Sequence, residues 1–175
     1  ERVSSLFESL KIAYEELRTE TGLIYMHLNK TDIFHKKVKV WDRIGVARTL
    51  DLDTTQFLLQ HKAQLAPEKL LQLRREGNLD EAKHCVDVLL SHHKLCCAKG
   101  IVDRDPVLER NFGFVGDKAI EVDLGSYIKD PFTATTAGMK KQLFFATLDF
   151  KQWMEKNYPE LKDYLEEKIY AILAE

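Results

Sequence analysis

Lys99-Gly100-Ile101-Val102-Asp103-Arg104-Asp105, then Asn111-Phe112-Gly113-Phe114, then Ala119-Ile120-Glu121-Val122-Asp123-Leu124-Gly125 is the stretch whose reading decides the fold. It predicts a helix that ends in a carboxylate-bearing loop, followed by a short hairpin around Gly116-Asp117 that ends at another carboxylate. Asp105 (or Asp103), Asn111 and Asp123 are thereby hung on one helix exit and one hairpin end. Hard cations take oxygen ligands, so two carboxylates and an amide are what a magnesium-phosphate site uses. The same residue types cap turns. Asp103, Arg104 and Asp105 also read as a salt-linked turn, and Asp123 as a strand-end cap.

Upstream, Asn78 with Glu81 three residues on gives a capping-box-like start to the helix. Ala82, Cys85, Val86, Leu89, His93, Cys96 and Cys97 fall on one face, and Gly100 stops it. Pro67 suits the first position of a preceding helix that turns Leu70, Leu71 and Leu73 inward and ends at Gly77. At the other end of the chain, residues 4–21 repeat Leu6, Leu10, Ala13, Tyr14 and Leu17 at helical steps, and Gly22 sits where a C′ residue would stop them. Residues 23–28 read as a buried strand. Residues 36–40 and 46–52 alternate about Asp42-Arg43-Ile44-Gly45 as a hairpin. Residues 55–61 fit a third strand or a helix start equally.

Downstream, residues 127–138 read as a polar loop containing Pro131. Residues 140–156 and 159–174 read as closing helices, with Leu143, Phe144, Leu148 and Trp153 facing the core in the first. Leu161, Tyr164, Leu165, Ile169 and Leu173 do so in the second, and Phe145, Phe150 and Tyr158 join the same aromatic group. Strands early and helices late predict an α+β fold with segregated layers. The expected division is residues 1–63, a helix plus a small sheet, and residues 64–175, a helical lobe carrying the hairpin.

The chain has 175 residues, 45% of them hydrophobic, enough for one domain or two small lobes with a real core. Its 26 basic and 28 acidic residues are interspersed and leave a net charge of −2, which argues against nucleic acid and against a membrane surface as partners. No apolar run approaches the ~20 residues that span a bilayer. Three cysteines, two of them vicinal, argue for a reducing, cytoplasmic compartment rather than a disulfide framework. His92 with Cys96 and His93 with Cys97 have the i, i+4 spacing of zinc ligand pairs. The same positions lie on the apolar stripe, where thiols and a bonded histidine are ordinary core. The late turns of a helix disfavour a thiolate, so cysteine nucleophiles have little support. Trp41, near the first turn, reads either as an exposed interaction anchor or as one of the single exposed aromatics that any surface carries.

The layout from Gly100 to Gly125 resembles the catalytic half of the protein-kinase-like fold. In that family a Gly-Ile-Val-His-Arg-Asp loop, a following Asn and the Asp of Asp-Phe-Gly hold the acceptor hydroxyl and the metal ions. The resemblance implies a small antiparallel sheet lobe plus a larger helical lobe. It implies Asp105 (with Asp103 beside it) as the catalytic-loop acid, and Asn111 and Asp123 as magnesium ligands. It also implies Glu15, Glu16 or Glu20 as the glutamate of the family's helix C, and Mg2+ and ATP as cofactors. The departures are specific. Asp103 stands where the family has His, the Asp105-to-Asn111 spacing is one residue longer, and Val107 stands where a Lys is usual. No Gly-rich loop or strand Lys precedes the first helix. The resemblance therefore implies either an ATP/Mg-dependent phosphotransferase or an inactive relative; the alternative is a non-enzymatic α+β protein-interaction domain.

Overall fold

A computed structural model describes residues 2–174. The chain is mixed α+β with small antiparallel sheets. Contacts group Leu23–Gln60 into one unit, and the residues up to Gly22 with those from His61 onward into another. The opening helix, assigned to the sheet half by the division at residue 63, groups instead with the larger unit, where it packs on the strand formed by residues 127–129.

Helix α1 (Arg2–Glu15) is shorter than its periodicity predicts. The amides of Glu16 and Leu17 both bond to the Ile12 carbonyl, and the Thr21 hydroxyl bonds to the Leu17 carbonyl, so the backbone leaves the helix in tight turns. Gly22 then takes φ +62°, and a Cβ there would meet Ile120 at 2.9 Å.

In the smaller unit, β1 (Leu23–His27) pairs antiparallel with β4 (Phe57–Gln60), and β2 (Lys37–Trp41) with β3 (Ala47–Asp51). Within residues 55–61, the segment Phe57–Gln60 thus resolves as strand. β1 is not the buried strand expected, because Ile24 and Tyr25 are exposed and only Leu23 and His27 are buried. Asp53 organises the loop before β2. Its carboxylate accepts from Thr31 Oγ1, Ile33 N and His35 N at 2.8 Å each and from Phe34 N at 3.1 Å. Burial pushes this carboxyl up, but the donated hydrogen bonds outweigh it and hold the pKa well below the usual range. His27 bonds to Thr55 O and Thr31 Oγ1 and packs its ring against Phe34 and Phe57.

In the larger unit, β5 (Gln64–Leu65) leads into α2 (Ala66–Glu76), which has Pro67 in its first turn and Gly77 in left-handed conformation at its end. Helix α3 (Leu79–Ala98) is capped by the Asn78 side chain, which accepts from Glu81 N. Then come β6 (Ile101–Asp103), the single-turn α4 (Leu108–Asn111), β7 (Phe112–Val115), β8 (Lys118–Glu121) and β9 (Tyr127–Lys129). A 3-10 turn (Pro131–Ala134), α5 (Thr136–Asn157) and α6 (Pro159–Ala174) close the chain. β5, β7 and β8 form one antiparallel sheet, and β6 pairs antiparallel with β9. The core joins Leu70, Leu89, Leu108, Leu143, Phe150 and Leu165, all 0% exposed; burial of each such side chain contributes about 1.5–3 kcal/mol.

Two expectations fail here. Residues 127–138 are not a polar loop: β9 and the 3-10 turn occupy them, and Tyr127 is 2% exposed. On α5 the buried positions are Leu143, Ala146, Thr147, Phe150 and Met154, so Phe144, Phe145 and Leu148 face outward, exposed at 56%, 55% and 42%.

Candidate functional site

The β6–β9 ladder and the β7–β8 hairpin bring the three quoted segments together. Asp103 ends β6 opposite Tyr127. Its Oδ1 accepts the Asp105 amide at 2.9 Å, an Asx turn that swings the chain away from the strand, and Arg104 N donates to Ser126 O at 3.2 Å. Pro106 and Val107 then lead into α4, whose last residue is Asn111.

Asn111 is buried and ties the loop to the hairpin. Its Nδ2 donates to the Asp105 carbonyl at 2.9 Å, and its own carbonyl accepts from Val122 N at 2.7 Å. Asp123, the next residue, is exposed, and its Oδ1 accepts from Gly125 N at 3.2 Å. With Nδ2 directed inward, Oδ1 is the atom of Asn111 left for a cation. The Asp105 carboxylate is exposed and accepts from Arg110 Nη2 at 3.1 and 3.2 Å. At such exposure the pair contributes at most about 1 kcal/mol, so a competing cation or hydroxyl displaces it cheaply.

Helix α1 fixes the far side. Ser9, 1% exposed, donates to Leu124 O at 2.5 Å and accepts from Tyr127 N at 2.8 Å. One hydroxyl thus clamps the segment directly after Asp123. The acidic residues near the end of α1 are engaged: Glu16 with Lys129, and Glu20 with Lys99 at 2.7 Å.

Beneath the loop lies a buried acid pair. Glu121 is 2% exposed and its carboxyl adjoins those of Asp103 and the hydroxyl of Tyr127. Two buried carboxylates side by side repel when both are ionised, which favours the protonated form of the pair. Burial, with Asp103 close by, raises Glu121 well above the ordinary carboxyl range. Burial also raises Asp103, against the hydrogen bonds from Glu121 and the Asp105 amide that favour its charge, while Asp105 and Asp123 push it further up. Tyr127 is raised well above its ordinary value, first by burial and then by Glu121. Asp103 is therefore not placed as Asp105 is: it faces inward and supports the loop.

A cleft of about 430 Å³ opens beside the loop, between residues 102–107 and α5, and is lined by Asp103, Arg104, Val107, Phe145 and Asp149 among others.

Known protein families, curated proteins and solved structures give no match to this chain. Asp105, Asn111 and Asp123 supply hard oxygen donors of the kind a magnesium–nucleotide complex takes. Among the described residues no three His, Cys, Asp or Glu side chains group as a metal site; the candidate set has two carboxylates and an amide.

The histidine–cysteine helix behaves as core. His92 Nε2 bonds to Glu20 O at 2.8 Å, and its Nδ1 lies 3.9 Å from Cys96 Sγ. Burial lowers the pKa of His92 and takes that of His93 down to about 4, with His92 adding to the latter, so both rings are neutral. Burial pushes Cys85 and Cys97 up to about 11 and Cys96 higher still, which suits none of them to nucleophilic work. Sequence reasoning missed Glu121, Tyr127 and Ser9. The available signal was Glu121 itself, a charge inside the apolar run Ala119-Ile120-Glu121-Val122.

Proposed function

We propose that this chain carries the catalytic-loop half of a divergent protein-kinase-like domain and that Asp105, Asn111 and Asp123 form its magnesium–nucleotide site. The observation that supports the reading is the bond from Asn111 Nδ2 to the Asp105 carbonyl, combined with the backbone bond from Val122, the residue before Asp123, to the Asn111 carbonyl. These bonds tie together the three segments that carry the loop acid, the amide and the hairpin-end acid, in the chain order the resemblance implies. A bound magnesium–nucleotide complex would supply the phosphoryl group and neutralise its charge.

The chain's own residues then have separate tasks. Asp105, on an exposed loop, orients an acceptor hydroxyl and takes its proton once Arg110 is displaced. Asn111 Oδ1 and the Asp123 carboxylate hold the cation. Ser9 and Asp103 keep the two segments in register, which matters because misplacement of about 1 Å costs a transfer reaction heavily.

A second reading, an inactive relative kept for its surfaces, is favoured by Val107 in the usual Lys position and by the Arg110–Asp105 pair. Thermal melting of wild type and Asp123→Ala with magnesium, with ATP and with both separates the two. The phosphotransferase reading expects an upward shift that needs both ligands and vanishes in the variant. A ligand at 100 times its dissociation constant stabilises by about 2.7 kcal/mol, well within detection. No shift with both ligands refutes a nucleotide site in this chain.

A further inference from the structure

The hairpin of β2 and β3 has features that neither its own ladder nor the proposed site uses. The two strands form a two-stranded sheet. Side chains alternate across it, so Lys37, Lys39 and Trp41 share one face, opposite Asp51, Thr49 and Ala47. Lys39 Nζ lies 5.5 Å from the centre of the Trp41 ring. The tip is a rigid turn rather than a loose loop: the Asp42 carboxylate accepts from Ile44 N at 3.1 Å and Val46 N at 2.9 Å, and Gly45 takes φ +79°. Upon this turn Ile44 is 84% exposed, Trp41 64% and Val46 46%.

Charge is gathered here as well. Lys36, Lys37, Lys39, Arg43 and Arg48 against Asp42 and Asp51 give residues 36–51 a net charge of +3, in a chain whose total is −2. Both acids have structural duties, Asp42 in the turn and Asp51 as acceptor for the Asp53 amide at 3.0 Å. Among the described residues no ion pair engages Lys36, Lys37, Lys39 or Arg43.

We propose that this hairpin docks the protein on an anionic lipid surface. Ile44, Val46 and Trp41 enter the interface, and Lys37, Lys39 and Arg43 meet the headgroups. The dimensions agree. Strands rise about 3.3 Å per residue, so Lys39 stands roughly 7 Å behind Trp41 and Lys37 roughly 13 Å behind. Interfacial segments sink about 5–10 Å, which buries the tip and leaves both lysines within about a Debye length of the surface. Trp prefers that boundary because its ring is apolar and its N–H stays wet. The leading edge is aliphatic, and Ile and Val offer a nucleic acid no stacking surface, so the tip fits lipid better than bases. Charge counted along the whole chain argues against a membrane surface; folded into a hairpin, the same charges argue for one.

The test is co-sedimentation of the 175-residue chain with phosphatidylcholine vesicles, with and without phosphatidylserine. Binding is expected only with phosphatidylserine, and brominated acyl chains should quench tryptophan fluorescence in wild type but not in Trp41→Phe. Each basic side chain near such a surface is worth about fivefold in affinity, so Lys37→Glu with Lys39→Glu should weaken binding at least about 25-fold. Ile44→Asp, at an exposed tip where folding is not at stake, should weaken it independently. Equal binding to both vesicle types, no binding to either, or binding that both variants leave intact overturns the proposal. So does a single-stranded oligonucleotide that displaces the protein from the vesicles by occupying Trp41.

Discussion

Replacement of Glu121 by Gln probes the buried acid pair through the pH dependence of stability. In the folded chain, burial and the neighbouring Asp103 keep the Glu121 proton on well above the ordinary value of 4.5. Unfolded, the carboxyl ionises near that value. The unfolded state therefore sheds a proton that the native state retains, and stability falls as pH rises through this window. The loss is about 1.4 kcal/mol per pH unit wherever only the unfolded state is ionised. His93 works in the opposite sense. Its folded pKa is lowered from 6.5 to about 4, so its contribution is present above 6.5 and is lost as pH falls toward 4. That amounts to roughly 3 kcal/mol, and His92 adds to it in the same direction. The two slopes overlap in the wild type, so its profile alone is not diagnostic. The difference between wild type and Glu121→Gln cancels the histidines. Gln keeps the volume, can donate to the Asp103 carboxylate and can accept from the Tyr127 hydroxyl. Urea unfolding across the mildly acid to mildly alkaline range should show the variant gaining on wild type by about 1.4 kcal/mol per pH unit above the ordinary carboxyl pKa. A difference that does not change with pH would refute the protonated pair.

Three further substitutions test individual contacts of the larger unit, two of them at the site. Ser9→Ala orphans Leu124 O and Tyr127 N together, and should cost about 2–3 kcal/mol in urea unfolding; an effect below about 0.5 kcal/mol would mean that the hydroxyl is no clamp. Asn111→Ala removes the donor to the Asp105 carbonyl and should cost about 1–3 kcal/mol while raising the hydrogen-exchange rate of the Asn111 and Val122 amides. Gly138→Ala places a Cβ 2.0 Å from Phe132 O, where backbone must move, and should cost about 1–3 kcal/mol or more in thermal unfolding; a near-neutral result would mean that the 3-10 turn yields freely.

Local chemistry made part of this structure legible. Asn78 announces α3 because its side chain satisfies an amide that the helix leaves open, and Gly100 stops the helix because φ +66° suits glycine. The hairpins followed from alternation around Gly45 and Gly116. What stayed hidden depends on partners distant in sequence. Tyr127-Ile128-Lys129 is too short to signal a strand, and becomes one only against Ile101-Val102-Asp103. Phe144, Phe145 and Leu148 are as apolar as their buried neighbours, and periodicity does not say which of two apolar faces of α5 meets the core. At the candidate site, the residue types and spacing named Asp105, Asn111 and Asp123. Their support could not be read: Ser9 lies 115 residues from the carbonyl it binds. Asp103 reads as a second loop acid until its partner Glu121 is seen.

The most direct test of the central claim, that Asp105, Asn111 and Asp123 form one hard-cation site, is NMR line broadening with Mn2+ standing in for Mg2+. The account predicts selective broadening of the Asn111 side-chain amide and of the backbone amides of Asp105, Gly125 and Ser126. This should be relieved by excess Mg2+ and abolished by Asp123→Ala. Broadening centred elsewhere, or unchanged in Asp123→Ala, would contradict it.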